Sequence, residues 1–235
     1  MSGPPTTTST HGAPGGASTS YAPTSRTTLR RRPHRAEYDR EAVHAVLDEA
    51  LLAHVGVLVD GAPRVIPCAY VRVGEALYFH GSTANRTLRA LAGGEEACVT
   101  VTLLDGLVLA RSAFHHSMNY RSVVAFGRGE KVTDAVEHAR SLSALVEHIV
   151  PGRSPFVREP DAKEMLQTLV VRFPLEEVSM KHRAGDPIDD EADHSIDVWA
   201  GVLPLALVPG RPVPDSTVAT PAEVPGHVLD WKRPS

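Results

Sequence analysis

The sequence has almost no cysteine, no apolar run long enough to cross a membrane, and no marked excess of one charge. Only Cys68 and Cys98 occur in 235 residues. They cannot staple a chain of this size, and neither sits in a paired metal-type spacing, so no disulfide framework organises the fold and no metal site is expected. Such sparing use suits a reducing cytoplasm. A membrane span needs roughly 18 to 20 apolar residues, which no stretch supplies, and the N-terminus lacks the charged-then-apolar pattern of a secretory signal. The chain is therefore expected to be soluble and cytoplasmic. A formal net charge of −4 gives no global attraction to nucleic acid or to an anionic membrane. The motifs of a dinucleotide fingerprint, a phosphate-binding P-loop and a nucleophile elbow are also missing.

What is present falls into three zones. Residues 1–28 are Ser, Thr, Gly, Pro and Ala with few large apolar side chains, and read as a disordered tail. Residues 206–235 are proline-rich and read as an extended tail lying on the surface or on a partner subunit. Between them, residues 29–205 carry the fold. Asp39 can cap a helix through Ala53, with Val43, Val46, Leu47, Ala50 and Leu51 on one face. Asp60-Gly61 between two apolar runs is a strong hairpin signal. Further strands are expected at 76–80, 97–104, 107–111, 121–127, 168–173 and 178–182, with helices at 83–91, 135–148 and around 162–167. Short sequential strands with a few helical inserts predict a mainly β, α+β fold: an antiparallel split β-barrel with peripheral helices.

Three stretches carry chemistry. In Leu77-Tyr-Phe-His-Gly-Ser-Thr-Ala-Asn-Arg86 a strand ends at His80, Gly81 lets the backbone turn, and Ser82, Thr83, Asn85 and Arg86 surround a helix start. Either this turn receives an anion, using free N–H groups and the helix dipole, or Ser82 or Thr83 simply caps the helix. The second stretch places His115, His116, Ser117, Asn119, Tyr120, Arg121 and Ser122 before an apolar strand. Adjacent histidines on extended chain point to opposite faces, so His115 and His116 make a poor chelating pair, and zinc is not expected. The third runs from Lys181 through an acidic loop to Trp199. The basic run Arg30-Arg31-Arg32-Pro33-His34-Arg35 is either a solvated edge of the tail or a cofactor or partner contact.

Taken in order, four features resemble the pyridoxamine 5'-phosphate oxidase-like, FMN-binding split-barrel superfamily, and within it the flavin-nucleotide-binding branch that includes 5-nitroimidazole resistance proteins. They are Arg31-Arg-Pro-His-Arg35; Pro67-Cys-Ala-Tyr70 with Leu77-Tyr-Phe-His-Gly-Ser82; Asn119-Tyr-Arg-Ser-Val123 with Phe126-Gly-Arg128; and Lys181-His-Arg-Ala-Gly-Asp-Pro187 with Trp199-Ala-Gly-Val-Leu-Pro204. The resemblance implies a homodimer with cofactor sites at the subunit interface. It places the flavin ring against the backbone of the strand Pro67, Cys68, Ala69 and Tyr70, and the phosphate near Ser82, Thr83, Asn85 and Arg86. His80 becomes the catalytic proton donor or cofactor ligand, Tyr120, Arg121 and Ser122 frame the pocket, and Lys181 and Trp199 cover it from the partner subunit.

The same resemblance implies FMN as cofactor, with haem or a deazaflavin as alternatives, since the superfamily contains binders of each. The leading expectation is an FMN-dependent oxidoreductase that reduces a small organic substrate. The alternative is a flavin- or haem-binding protein for storage, sensing or haem degradation, with His80, His115, His116 or His182 as ligand. Vitamin B6 oxidation is disfavoured, because the C-terminal arginine signature of the oxidase itself is missing.

Overall fold

The alternation of small and branched apolar residues with exposed ones, period two, is what drives most of this chain into strands. Leu52–Val59 (β2) buries Ala53, Val55 and Val57 and exposes Leu52, His54 and Leu58. It pairs with Ala62–Val73 (β3) through a two-residue turn at Asp60-Gly61, where both residues have positive φ, 53° and 76°. That is the turn geometry a right-twisted hairpin favours. The computed structural model describes residues 18–218 and 223–233.

Ten strands form one antiparallel sheet that curls into a split barrel. The remaining strands are Ala36–Glu37 (β1), Ala76–Ser82 (β4), Glu96–Leu109 (β5), Ser117–Arg128 (β6), Glu130–Lys131 (β7), Thr168–Pro174 (β8), Glu177–Arg183 (β9) and Gly201–Pro204 (β10). Their order is β1-β9-β6-β5-β2-β3-β4-β8-β7, with β10 added to β5. The register of β5 on β6 shifts between Leu104 and Gly106, and this bulge turns the strand toward β10. Gly106 lets β10 approach closely there, since a Cβ would stand only 3.1 Å from the Leu203 carbonyl oxygen.

The core is the concave face: Tyr70, Leu77, Phe79, Val99, Val123, Val171 and Phe173, closed at one end by the helix Arg40–Glu49 (α1) with Val43, Val46 and Leu47. Asp39 caps α1 by accepting from the Ala42 amide, as expected, but the helix stops ten residues on and Leu52 already begins β2. The helices Ala135–Ile149 (α3) and Ala162–Gln167 (α4) stand close to where the periodicity puts them. The expected helix from Thr83 is shorter, Arg86–Ala92 (α2).

The tail expected over 1–28 needs correction in its last part. Residues 18–28 pack on the barrel, because Tyr21 is 2% exposed and its hydroxyl reaches His44 Nε2 at 3.0 Å and Glu75 at 3.1 Å. Arg40 lies over the same ring, 4.1 Å from its centroid. One aromatic anchor with a satisfied hydroxyl outweighs a composition that otherwise reads as coil. Residues 1–17 lie outside the described residues. The C-terminal segment also docks: Trp231 Nε1 donates to the Ile149 carbonyl at 2.8 Å, and Arg233 bonds the Glu49 carbonyl at 3.1 Å. Residues 219–222 and 234–235 of that segment are likewise outside the described residues.

Candidate functional site

Cross-strand partners share a face, so the register sorts the expected site residues. Leu52 opposes Ala69 and His54 opposes Pro67, and all four point outward, away from the core. Their chain neighbours Cys68 and Tyr70 point inward. Cys68 packs against the core, and burial pushes its thiol pKa up. Tyr70 is fully buried and its hydroxyl donates to the Leu47 carbonyl at 2.6 Å. The Cys68 and Tyr70 side chains therefore support the strand from behind, and the backbone and the outward Pro67 and Ala69 are what this strand offers on its other face.

His80 follows Phe79, which faces the core opposite Tyr70, so His80 faces outward. It is exposed, yet the surrounding protein desolvates the imidazole enough to lower its pKa. It is neutral at neutral pH, and neither ring nitrogen has a hydrogen-bond partner among the described residues. On β6, Tyr120 opposes the exposed Leu104, and Ser122 opposes Thr102 with their hydroxyls 2.8 Å apart. Both belong to the outward face.

Arg121 does not. It opposes the buried Leu103 and is held by two carboxylates, Glu49 of α1 and Asp105 of the bulge. The hydrogen bonds it donates to Asp105 and Glu49 raise its pKa further. Its expected place in the pocket frame is corrected to a brace between α1 and the sheet.

The turn after β4 satisfies most of its own amides. The strand runs through Gly81 to Ser82, and Gly81 serves close packing rather than a turn, since a Cβ there would meet Leu88 Cδ1 at 2.7 Å. Asn85, not Ser82 or Thr83, caps α2: its side chain accepts from the Thr87 and Leu88 amides at 3.0 and 3.1 Å. The Thr83 and Asn85 amides bond the Gln167 and Ser82 carbonyls, and the Ala84 amide bonds Ser82 Oγ. Arg86 is paired with Asp60 on the surface. Five amides of this turn, those of Thr83, Ala84, Asn85, Thr87 and Leu88, therefore have partners within the protein.

The concentration of positive charge lies at the other margin of the outward face. Lys181 opposes Ser122 on one side and Ala36 on the other, and Arg183 opposes Tyr120. Beside them the single helical turn Pro33–Arg35 brings in Arg31, Arg32 and Arg35. Together they line a cleft of about 410 Å³, closed by Phe114, His115 and His116. This assembly joins segments far apart in sequence. The basic run had been left open between solvated edge and cofactor contact, and the pairing of β1 with β9 is what gives it a site. Trp199 is exposed and lies against Gly201 at the start of β10. Among the described residues no group of three or more His, Cys, Asp or Glu side chains could hold a metal ion, and no helix is long and apolar enough to cross a membrane.

The family model for pyridoxamine 5'-phosphate oxidase matches residues 39–182. The chain belongs to this family. Among solved structures, this family member resembles the flavocytochrome Anf3 from Azotobacter vinelandii with a TM-score of 0.84 and 40% identity, over 90% of this chain and 99% of that one. It resembles the FAD and heme binding protein from Mycobacterium smegmatis with a TM-score of 0.79 and 38% identity, over 83% of this chain and 96% of the other. A Bacteroides thetaiotaomicron protein named for 5-nitroimidazole antibiotic resistance shares the fold, with a TM-score of 0.50 and 19% identity over 62% of this chain and 85% of that one. A search of curated protein sequences returned no match.

Proposed function

We propose that this member of the family is a homodimeric redox protein that holds a flavin on the outward sheet face, where a second copy of the chain covers it. The observation that carries the proposal is the uncovered face itself. Leu52, Leu58, Val65 and Leu104 are 54%, 52%, 66% and 43% exposed on neighbouring strands, beside Pro67, Ala69 and His80. A contiguous apolar surface of this kind marks a ligand or partner site, and an isoalloxazine ring is flat and largely apolar. The names of two relatives at 38% and 40% identity support the flavin.

When bound, a flavin supplies hydride and single-electron transfer, which none of these side chains can perform. The chain's own residues bind and orient. Pro67 and Ala69 present a smooth strand for stacking, Thr102 and Ser122 offer hydroxyls, and Lys181 supplies a cation at the margin. The neutral imidazole of His80 can take up or release a proton at a ring nitrogen. The reaction class is reduction of a small organic substrate.

A second ligand, haem, is favoured by the same two names and by one feature of this chain. His80 is neutral and outward, and its ring nitrogens are free among the described residues, so one of them could hold haem iron. His115 and His116 each engage one ring nitrogen, with the Asp190 carboxylate at 3.2 Å and the Ser112 carbonyl at 3.0 Å, and stand in the basic cleft rather than on the apolar strands, while His182 opposes the inward Arg121.

The visible spectrum of the purified protein tests both ligands. Two broad bands identify flavin, and an added sharp, intense violet band identifies haem. His80→Ala should remove the violet band and leave the flavin bands. A colourless protein that FMN, FAD and haem all fail to reconstitute would falsify the ligand reading, and a monomer on gel filtration would remove the dimer.

A further inference from the structure

The cleft beside β1 gathers more positive charge than the protein around it compensates. Arg31, Arg32, Arg35 and Lys181 form no ion pair among the described residues. Arg183, 8% exposed, bonds only neutral acceptors: the Asn119 side chain and the carbonyls of Gly185 and Asp186 at 3.0 and 2.8 Å. Desolvation, then the nearby Arg35 and Arg32, lowers its pKa. Of the nearby carboxylates, Asp190 reaches His115 rather than an arginine, and Asp186, whose charge partly offsets the shift of Arg183, meets it through its backbone carbonyl. A buried guanidinium facing other cations is costly unless something negative sits between them.

The backbone adds to that cost. Arg32 has φ 57° and ψ 60°, a left-handed conformation that a side chain bearing Cβ rarely adopts, and it precedes a proline, which disfavours it further. Strain of this kind persists where surrounding contacts hold it, and here it aims Arg31 and Arg32 at one cleft.

We propose that this cleft binds the diphosphate of a nucleotide, with Phe114 as a platform for the base. Five fixed cations outnumber the charge of one phosphate monoester, about −2, and arginine forks suit paired phosphate oxygens. A compact cavity of about 410 Å³ fits a small ligand rather than a polymer track. Phe114 is 88% exposed at its mouth, braced edge-on by the His115 ring at 5.2 Å, and an uncovered aromatic beside cations offers a stacking face. The cleft continues the proposed flavin face through Ser122 and Lys181. The diphosphate therefore has two possible sources: the adenosine diphosphate half of FAD, which rests on the flavin reading, or a separate reducing dinucleotide, which does not.

The full-length protein is titrated calorimetrically with ADP, and its bound flavin is identified after acid release. The comparison variant is the double substitution Arg31→Ser, Arg32→Ser, its folding checked by circular dichroism, with Lys181→Gln as an independent second variant. ADP binding that each variant weakens about tenfold or more supports the site. If ADP also binds the flavin-loaded protein, the source is a separate dinucleotide. Wild-type protein that carries FAD and excludes ADP, while the variants carry less FAD or only FMN, also supports the site and assigns the diphosphate to the flavin. ADP binding unchanged in both folded variants overturns the proposal, as does protein that neither binds ADP nor loses FAD on substitution. Protein without flavin fails the flavin reading alone, since the ADP titration still decides the cleft.

Discussion

Tyr70→Phe separates the two roles that Tyr70 could have, support of the strand or contact with a cofactor. The hydroxyl is buried and donates to the Leu47 carbonyl at 2.6 Å, while the ring packs against Phe79 and His148 with centroids 6.2 and 5.8 Å away. Burial pushes the phenol pKa up, so the group is a donor throughout the accessible pH range. Phenylalanine keeps the ring and its contacts and removes only the donor, leaving a carbonyl in the last turn of α1 without that partner. An unsatisfied buried group costs about 1–3 kcal/mol, which in a domain of this size lowers the melting temperature by roughly 2–4 °C per kcal/mol. Equilibrium urea unfolding should show the loss, and a flavin titration of the same protein should show an affinity within about twofold of wild type. The reasoning fails if stability stays within about 0.5 kcal/mol while flavin affinity drops about tenfold. That pattern would mean the side chain faces the ligand after all.

Two further outcomes follow from the same sorting of residues by face. Arg121→Ala should cost about 1–2 kcal/mol, between the values for exposed and buried ion pairs, because its side chain is 33% exposed and it braces Glu49 and Asp105; flavin binding that falls while unfolding is unchanged would contradict the brace. His80 has a pKa lowered by desolvation, so the unfolded chain takes up a proton at a higher pH than the folded one. Stability should therefore fall as the pH drops through about 6.5; His80→Gln should flatten that slope, and an unchanged slope by chemical denaturation would show that His80 does not contribute.

The strands were legible because their signals are local. The alternation in 52–59, the Asp60-Gly61 turn and the Asp39 cap each depend on residues within a few positions of one another. The site residues were only half legible. A motif such as Pro67-Cys-Ala-Tyr70 names a strand without saying which alternate residues face the ligand, and that parity is set by the pairing of β3 with β2 and β4. Arg121 looked like a pocket residue because nothing near it in sequence shows that Glu49 will arrive beside it. Tyr21 was lost in a tail whose composition says coil, since one anchor does not move an average.

The turn after β4 and the cleft beside β1 show how hydrogen-bond accounting redirects a functional reading. Small polar residues before a helix look like an anion site, but a short cap that satisfies its own amides leaves an incoming phosphate few of them. Asn85 takes two of those amides, and Ser82 and Gln167 take three more. Opposite that margin the accounting runs the other way. Arg31, Arg32, Arg35 and Lys181 converge without an ion pair among the described residues, and the β1–β9 pairing holds Lys181 beside them. From β2 to β9 is three strand spacings, about 14 Å, and from β3 four, about 19 Å. A ligand whose ring rests on the apolar strands must therefore be extended, with its charge well separated from its ring, to use both ends of one face.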